Sequence, residues 1–566
     1  MKKLVKKLLC CLFSLTIMFG TIACKEPDEI VDNSSGGTDV EIEIDEKRTQ
    51  LFVFNYAAGY GTEWMSEAIA DYEALHANDV YEEGKVGVQI VPTHMKKKRD
   101  AGEILQNREE VYFTESIVQY YQAINEGAFA DITNAVVGFN PYESGKNIES
   151  KMTEEQKSYY GYQKDGKTIY YGIPHYSGAF GLIYDIDLFD EKGFYFKDGY
   201  NTSSALEEHF IYAPSDKKSA GPDGEYNTSD DGLPVTYKEF LDLCEYIAGV
   251  NVTPICWSGA NYAGYLTMLY NQLVMNDAGL EESLLTYTMK GTTSQLGTVN
   301  SDGEFIKDST PTTITPETAY ELYRHESKYT ALKFLKALIE TEKFHNDTAF
   351  TNTHEQTTAQ DDFLWSGKDN MTTPMAMLAD GVWWQAEANE TFKAMETQVT
   401  AWGKKNRNFG WMPLPKSAYK DQKNVYFDTL YSMCFIKKNI ADWKFDLAVD
   451  FLQFMNTDAS LKQFTTITNT PKALNYSMSK TELDALTPFG RSVLEYKQNA
   501  DVLYPVSNEP MFLNNQAMFA AGEGYKATLD IDQMYPSMTF HEKGVSAKAY
   551  FDGMYTYWKN KWKTLN

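Results

Sequence analysis

From Gln50 onward the apolar positions fall into short runs of strand length, separated by stretches whose apolar residues recur at helical spacing. Leu51-Phe52-Val53-Phe54 is a strand-length run, followed by the glycine-bearing turn Ala58-Gly59-Tyr60-Gly61. Thr62 is placed to cap a helix in which Met65, Ile69, Tyr72 and Leu75 form one stripe. Val86–Val91 reads as a second strand ended by Pro92, and Glu110–Thr114 as a third, after which Ser116 opens a helix running toward Gly127. Strand, helix, strand in repeated order predicts an α/β fold with a parallel sheet covered on both faces. Ligands of such sheets sit beyond the carboxyl ends of the strands, which puts Tyr60, Trp64, Glu115 and Ser116 on one functional edge. The second half is richer in helix. Thr330–Phe344 carries Leu332, Leu335, Leu338 and Ile339 on one stripe, Asp442 caps Trp443–Met455, and Ala547–Trp562 is an aromatic-rich terminal helix. No repeat of solenoid period is present.

The first fifty residues follow a different pattern. Lys2, Lys3, Lys6 and Lys7 precede the apolar run Leu8–Phe19 and then Gly20-Thr21-Ile22-Ala23-Cys24. A basic start, a short apolar stretch and small residues describe a secretory leader, and the run is shorter than the roughly 20 residues of a membrane span. The segment resembles the leaders of exported lipoproteins, with residues 1–23 removed, a lipid carried on Cys24 and a flexible tether over 24–49. It departs from them in placing Thr21 where leucine is commoner; the alternative is an ordinary secreted protein cut near Ala23. Several acyl chains would fix the protein to the outer face of a membrane, where one chain binds only marginally.

Charge narrows the partners. The chain of 566 residues has a formal net charge of −27, and removing a leader with four lysines and no acid makes the remainder more negative still. Such a surface repels phosphate backbones, so nucleic acid is excluded as a partner. Aromatics make up 14% of the chain, led by tyrosine, whose apolar ring and hydrogen-bonding tip suit a wet binding cleft. Beyond Cys24, the three cysteines Cys244, Cys256 and Cys434 allow one disulfide at most, with Cys244–Cys256 the nearest pair in sequence.

Motifs for catalysis are missing. None of the eight histidines lies in an H-E-x-x-H pattern, and neither a G-x-S-x-G elbow nor a phosphate-cradling G-x-x-x-x-G-K-[ST] loop occurs. No acidic pair stands out as a glycosidase pair, and the expectation is a protein that is not an enzyme, with no required cofactor. The loop Gly221–Gly232 does stand out. Asp223, Glu225 and Asn227 alternate as a calcium loop requires, and Asp230 and Asp231 could close an oxygen shell of structural calcium. Thr228 and Pro234 break the EF-hand pattern, and the plain alternative is a solvated turn. Gly381-Val382-Trp383-Trp384 follows the strand-like Met375–Leu378; Trp384 reads as core and Trp383 as a face offered to a ligand ring. Trp257, after Pro254-Ile255-Cys256, is a second candidate. Flat aromatic faces with Asp, Glu and Asn oxygens are what a carbohydrate site needs.

Four stretches, in order, resemble the family 1 extracellular solute-binding proteins, the maltose-binding-like receptors of ABC-type sugar importers. They are Tyr60-Gly61-Thr62-Glu63-Trp64; Val111–Ser116 with Ala130-Asp131-Ile132; Gly172-Ile173-Pro174 through Leu188-Phe189; and Met377–Trp383 with Phe409–Pro415. The third departs from the family in carrying Asp185 where asparagine is commoner. The resemblance implies a two-lobed, hinge-linked periplasmic-binding-protein fold (type II). Lobe 1 would take 50–180 plus about 412–465, and lobe 2 would take 181–411 plus about 466–566. Crossings would fall near Tyr176–Tyr184, Met412–Pro415 and Asn456–Pro471. It implies a monomeric receptor that binds a carbohydrate, best an oligosaccharide, and hands it to ABC permease subunits, with His175 and Tyr176 of the first crossing joining the ligand residues. The rival readings are a receptor for a peptide or polyamine, and a tethered glycoside hydrolase.

Overall fold

The computed structural model describes residues 42–97, 99–115, 120–368, 372–429, 432–519, 527–529 and 532–565. The leader, Cys24, the tether as far as residue 41 and Ser116 lie outside the described residues.

Strands and helices are numbered here in chain order, counting only those that position the site. β1 (Thr49–Tyr56), β2 (Val88–Met95), β3 (Val111–Thr114) and β4 (Ile173–Pro174) belong to one sheet. β5 (Phe180–Asp185), β6 (Thr253–Cys256), β7 (Met375–Gly381) and β8 (Phe409–Met412) belong to a second. β9 (Val425–Phe427) pairs in parallel with β11 (Asp501–Leu503), and β10 (Met433–Ile436) returns to the first sheet. The strand orders are β2-β1-β3-β10-β4 and β8-β5-β7-β6.

Both sheets are mixed, which corrects the expected all-parallel arrangement. β1 runs parallel to β2 and β3, as the strand–helix–strand order dictates, but β10 enters from the other lobe and pairs antiparallel to β3 and β4. In the second sheet β7 is parallel to β6, whereas β5 is antiparallel to both β7 and β8. Pro92 does not end its strand: β2 continues to Met95 with Pro92 opposite Val53. β2 is an edge strand, where a residue lacking an N–H costs no ladder bond.

Helix α1 (Glu63–Leu75) buries Trp64, Met65, Ala68 and Tyr72, while Leu75 is exposed, and Thr62 occupies its N-cap without a side-chain capping bond. α2 (Glu326–Glu340) begins four residues before the predicted helix, and Glu342–Phe344 is a separate 3-10 turn. α3 (Asp442–Met455) and α4 (Asp458–Thr468) pack on the first lobe beside α1; α5 (Pro488–Asn499) lies against β8 and α6 (Ala547–Trp562) against α2. Cys244, Cys256 and Cys434 are all free and buried, so the Cys244–Cys256 bridge does not form; the residues sit in a helix and on strands as small core groups.

The chain passes between the sheets at residues 175–179, at 413–432 and at 469–487. These segments are laced together. Ser177 Oγ and the Gly178 N–H both donate to the Asp428 carboxylate, and Tyr176 bridges to Lys472.

Candidate functional site

β7 ends in Asp380 and Gly381, and the chain then turns through Val382 and Trp383 into the short helix Trp384–Glu387. The Trp383 ring folds back over its own strand end: a Cβ on Gly381 would lie 2.2 Å from Trp383 Cη2. On the other side it meets the first lobe, since a Cβ on Gly59 would lie 3.3 Å from Trp383 Cβ and Cγ. Gly59 sits at φ +78°, a conformation that glycine adopts freely. The turn after β1 and the turn after β7 therefore touch, and beside them lies a cleft of about 270 Å³. Its walls include Tyr60–Glu63 from one lobe, Glu387, Asn389, Glu390, Lys393 and Lys404 from the other, and Ile467 and Thr468 at the end of α4.

Behind the cleft-lining Glu387 and Tyr60 stand further carboxyls and tyrosines. Gln360 Nε2 donates to Asp380 Oδ2 at 2.9 Å and to Glu387 Oε2 at 2.7 Å, holding the buried Asp380 carboxyl beside the half-buried Glu387. Burial and then the neighbouring Glu387 charge push the Asp380 carboxyl up to about 8, and burial raises Glu387 as well. Near neutral pH the pair thus retains a proton and can both donate and accept. From the first lobe, Glu115 accepts from the Tyr176 hydroxyl at 3.2 Å, and the Tyr60 and Tyr176 rings lie 4.2 Å apart. Burial, followed by the Glu115 and Glu387 charges, raises Tyr56, which keeps its hydroxyl a donor. Burial also lowers Lys404 to about 8, partly offset by Glu63 across the cleft.

The predicted residues divide. Tyr60 lines the cleft, Trp383 lies at the contact between the lobes, and Glu115 is tied to Tyr176 behind Tyr60. Three others are core. Trp64, on the buried face of α1, packs its ring against Phe113, His175 and Phe464. His175 is buried with Nδ1 at 2.7 Å from the Lys472 ammonium, whose pKa burial lowers to about 7. Trp257 is wholly buried, its indole N–H donating to the Ala349 carbonyl at 2.7 Å, so it offers no face to a ligand. The same strand-end position that suggested a ligand residue points it into the layer between β6 and the 345–350 segment. Asp380, Glu387 and Gln360 were not singled out by sequence. Asp380 directly precedes the Gly381-Val382-Trp383 turn and Glu387 lies one helical turn beyond Trp383, so adjacency was the available signal.

In the acidic loop, Asp223 accepts the Glu225 N–H, Asp230 accepts the Asp223 N–H and the Thr228 hydroxyl, and Asp231 accepts the Asn227 N–H. Glu225 and Asn227 are exposed. Among the described residues no group of three or more His, Cys, Asp and Glu side chains is arranged to hold a metal. Burial, with Asp223 adding to it, pushes Asp230 up to about 7.

This architecture has counterparts among solved structures. The SBP RafE in complex with raffinose superposes with a TM-score of 0.52 at 14% identity, covering 90% of this chain and 99% of that one. The apo form of RafE from Streptococcus pneumoniae gives 0.51 at 15% identity, covering 92% and 99%. A chitin oligosaccharide binding protein gives 0.51 at 12%, covering 92% and 100%. The chain has the two-lobed α/β fold of the solute-binding proteins. No protein-family model and no curated protein sequence matches it.

Proposed function

We propose that the chain is the receptor subunit of an ABC importer and captures a neutral oligosaccharide in the cleft between its lobes. The observation that carries this reading is the lobe contact and the cleft beside it: the Trp383 indole at the contact, Tyr60 on one wall, and on the other Glu387, joined through Gln360 to the buried Asp380. A sugar ring presents an apolar face to the indole and hydroxyls that both give and take hydrogen bonds. The structural neighbours named for raffinose and for chitin oligosaccharide support the same ligand class. Binding would favour the closed arrangement, and closure would report occupancy to the permease without any bond being made or broken. Export, acylation at Cys24, a monomeric state and the lobe limits near residues 180, 412 and 465 belong to the same proposal. Titration calorimetry of Trp383→Ala against the cognate oligosaccharide should show at least a several-fold loss of affinity, because an aromatic anchor is commonly worth more than about 1 kcal/mol. Unchanged affinity would remove Trp383 from the site.

A further inference from the structure

A second and larger hollow, about 1010 Å³, shares no lining residue with the cleft. Three stretches distant in sequence wall it: the acidic loop and its flanks (219–235), the crossing segment 413–424 and the end of α5 (492–500). Its lining includes Trp411 on the edge strand β8 and Tyr496 on α5, whose rings lie 6.4 Å apart. Tyr419, 67% exposed, also lines it. The Ser492 hydroxyl accepts the Trp411 N–H at 2.8 Å and fixes α5 against the strand. Asn424, Gln498 and Asn499 add carboxamides that donate and accept at once.

The charges narrow what fits. Carboxylates outnumber the two lysines Lys420 and Lys423, and Lys420 is held by Asp277 at 2.7 Å, so a phosphate or other anion is disfavoured. The buried carboxyls are occupied within the protein. Glu239 accepts from the hydroxyls of Tyr200 and Tyr419 and from the N–H groups of Val235 and Thr236, and Asp230 from the Asp223 N–H and Thr228. Asp223, Glu225 and Asp421 are exposed to water, where a single charge pair adds little, and Glu495 is half-buried on α5. What is left for a ligand is the exposed Tyr419 ring, the part-exposed Tyr496 ring and the carboxamides of Asn424, Gln498 and Asn499, Trp411 itself being buried beneath them.

We propose that this hollow is a second saccharide site, taking neutral glycans independently of the cleft. Aromatic and carboxamide groups in one concave wall serve the apolar face and the hydroxyls of a sugar together. The site stands on its own lining and does not require the cleft to bind sugar.

The test uses an array of neutral di- to hexasaccharides and the full mature chain in four forms. They are the wild type, a cleft variant (Trp383→Ala with Glu387→Ala) and two hollow variants, Tyr419→Ala and Asn499→Trp. Tyr419 and Asn499 are exposed, so melting curves should show all hollow variants folded. The proposal expects the cleft variant to retain a subset of glycans that each hollow variant binds about fivefold less or not at all. It is overturned if the cleft variant loses every glycan, or if both hollow variants keep the full wild-type set. In either case glycans still bound by the wild type leave the cleft reading intact, whereas a wild type that binds no glycan removes both.

Discussion

Trp383 is held at the lobe contact by what two neighbours lack: Gly381 and Gly59 each leave room that a methyl group would fill. Beside it, Asp380 and Glu387 share the Gln360 amide, and this pair makes a pH-dependent prediction. Asp380 has its folded pKa raised to about 8 by burial and by Glu387, well above an unfolded value near about 3.9. The protonated form is therefore favoured by folding, and the stability it contributes is complete below about pH 4 and lost as pH rises through about 8. Thermal midpoints measured between pH 6 and 9 should fall with rising pH, and Asp380→Asn, which mimics the protonated acid, should flatten that decline. Parallel declines in the two proteins would remove Asp380 as its source. Trp383 stood out in the sequence because paired tryptophans after a glycine are conspicuous. The acid pair did not, because only the burial of Asp380 beneath Gln360 distinguishes it from the chain's other carboxylates.

At the scale of elements, one carboxylate is a central tie between crossings. Asp428 receives the Ser177 hydroxyl and the Gly178 N–H, joining the first crossing to the second. Asp428→Ala leaves the buried Gly178 N–H unsatisfied, at a cost of about 1–3 kcal/mol, and the Ser177 hydroxyl with only its 3.4 Å contact to the Tyr426 hydroxyl, so the thermal midpoint should drop clearly. A midpoint within error of wild type would show that the crossings are held elsewhere. We also propose calcium as a ligand that would draw Asp223 and Asp231 off the amides of Glu225 and Asn227. An ion bound only by the folded state stabilises it by about 2.7 kcal/mol at a hundredfold excess over Kd. Added calcium should then raise the melting midpoint and chelator should reverse it, with sugar affinity unchanged. A midpoint indifferent to both would leave a turn closed by its own hydrogen bonds. Strands such as β1 and the helix Ala547–Trp562 were legible because their apolar spacing matches their burial. Pro92 misled because being on an edge strand is a property of the sheet, and the sheet direction of β10 misled because pairing across a long crossing leaves no local trace.

At the scale of the molecule, two sheets are joined by three crossings, and the turns after β1 and β7 meet beside the cleft, the arrangement on which the proposed closure rests. The order of four short stretches was enough to anticipate this architecture. Which tryptophans stay out of the core was not legible, since Trp64 and Trp257 stand at strand ends or helix starts just as Trp383 does and yet pack into the core. The account's central claim is reversible capture of a neutral oligosaccharide, and the most direct measurement titrates the soluble domain with oligosaccharides, peptides and polyamines at low and high ionic strength. The account predicts affinity for an oligosaccharide that barely changes with salt, and recovery of that sugar intact after hours of incubation. Binding confined to cationic peptides or polyamines and weakened by salt, or steady release of shortened sugar, would contradict it.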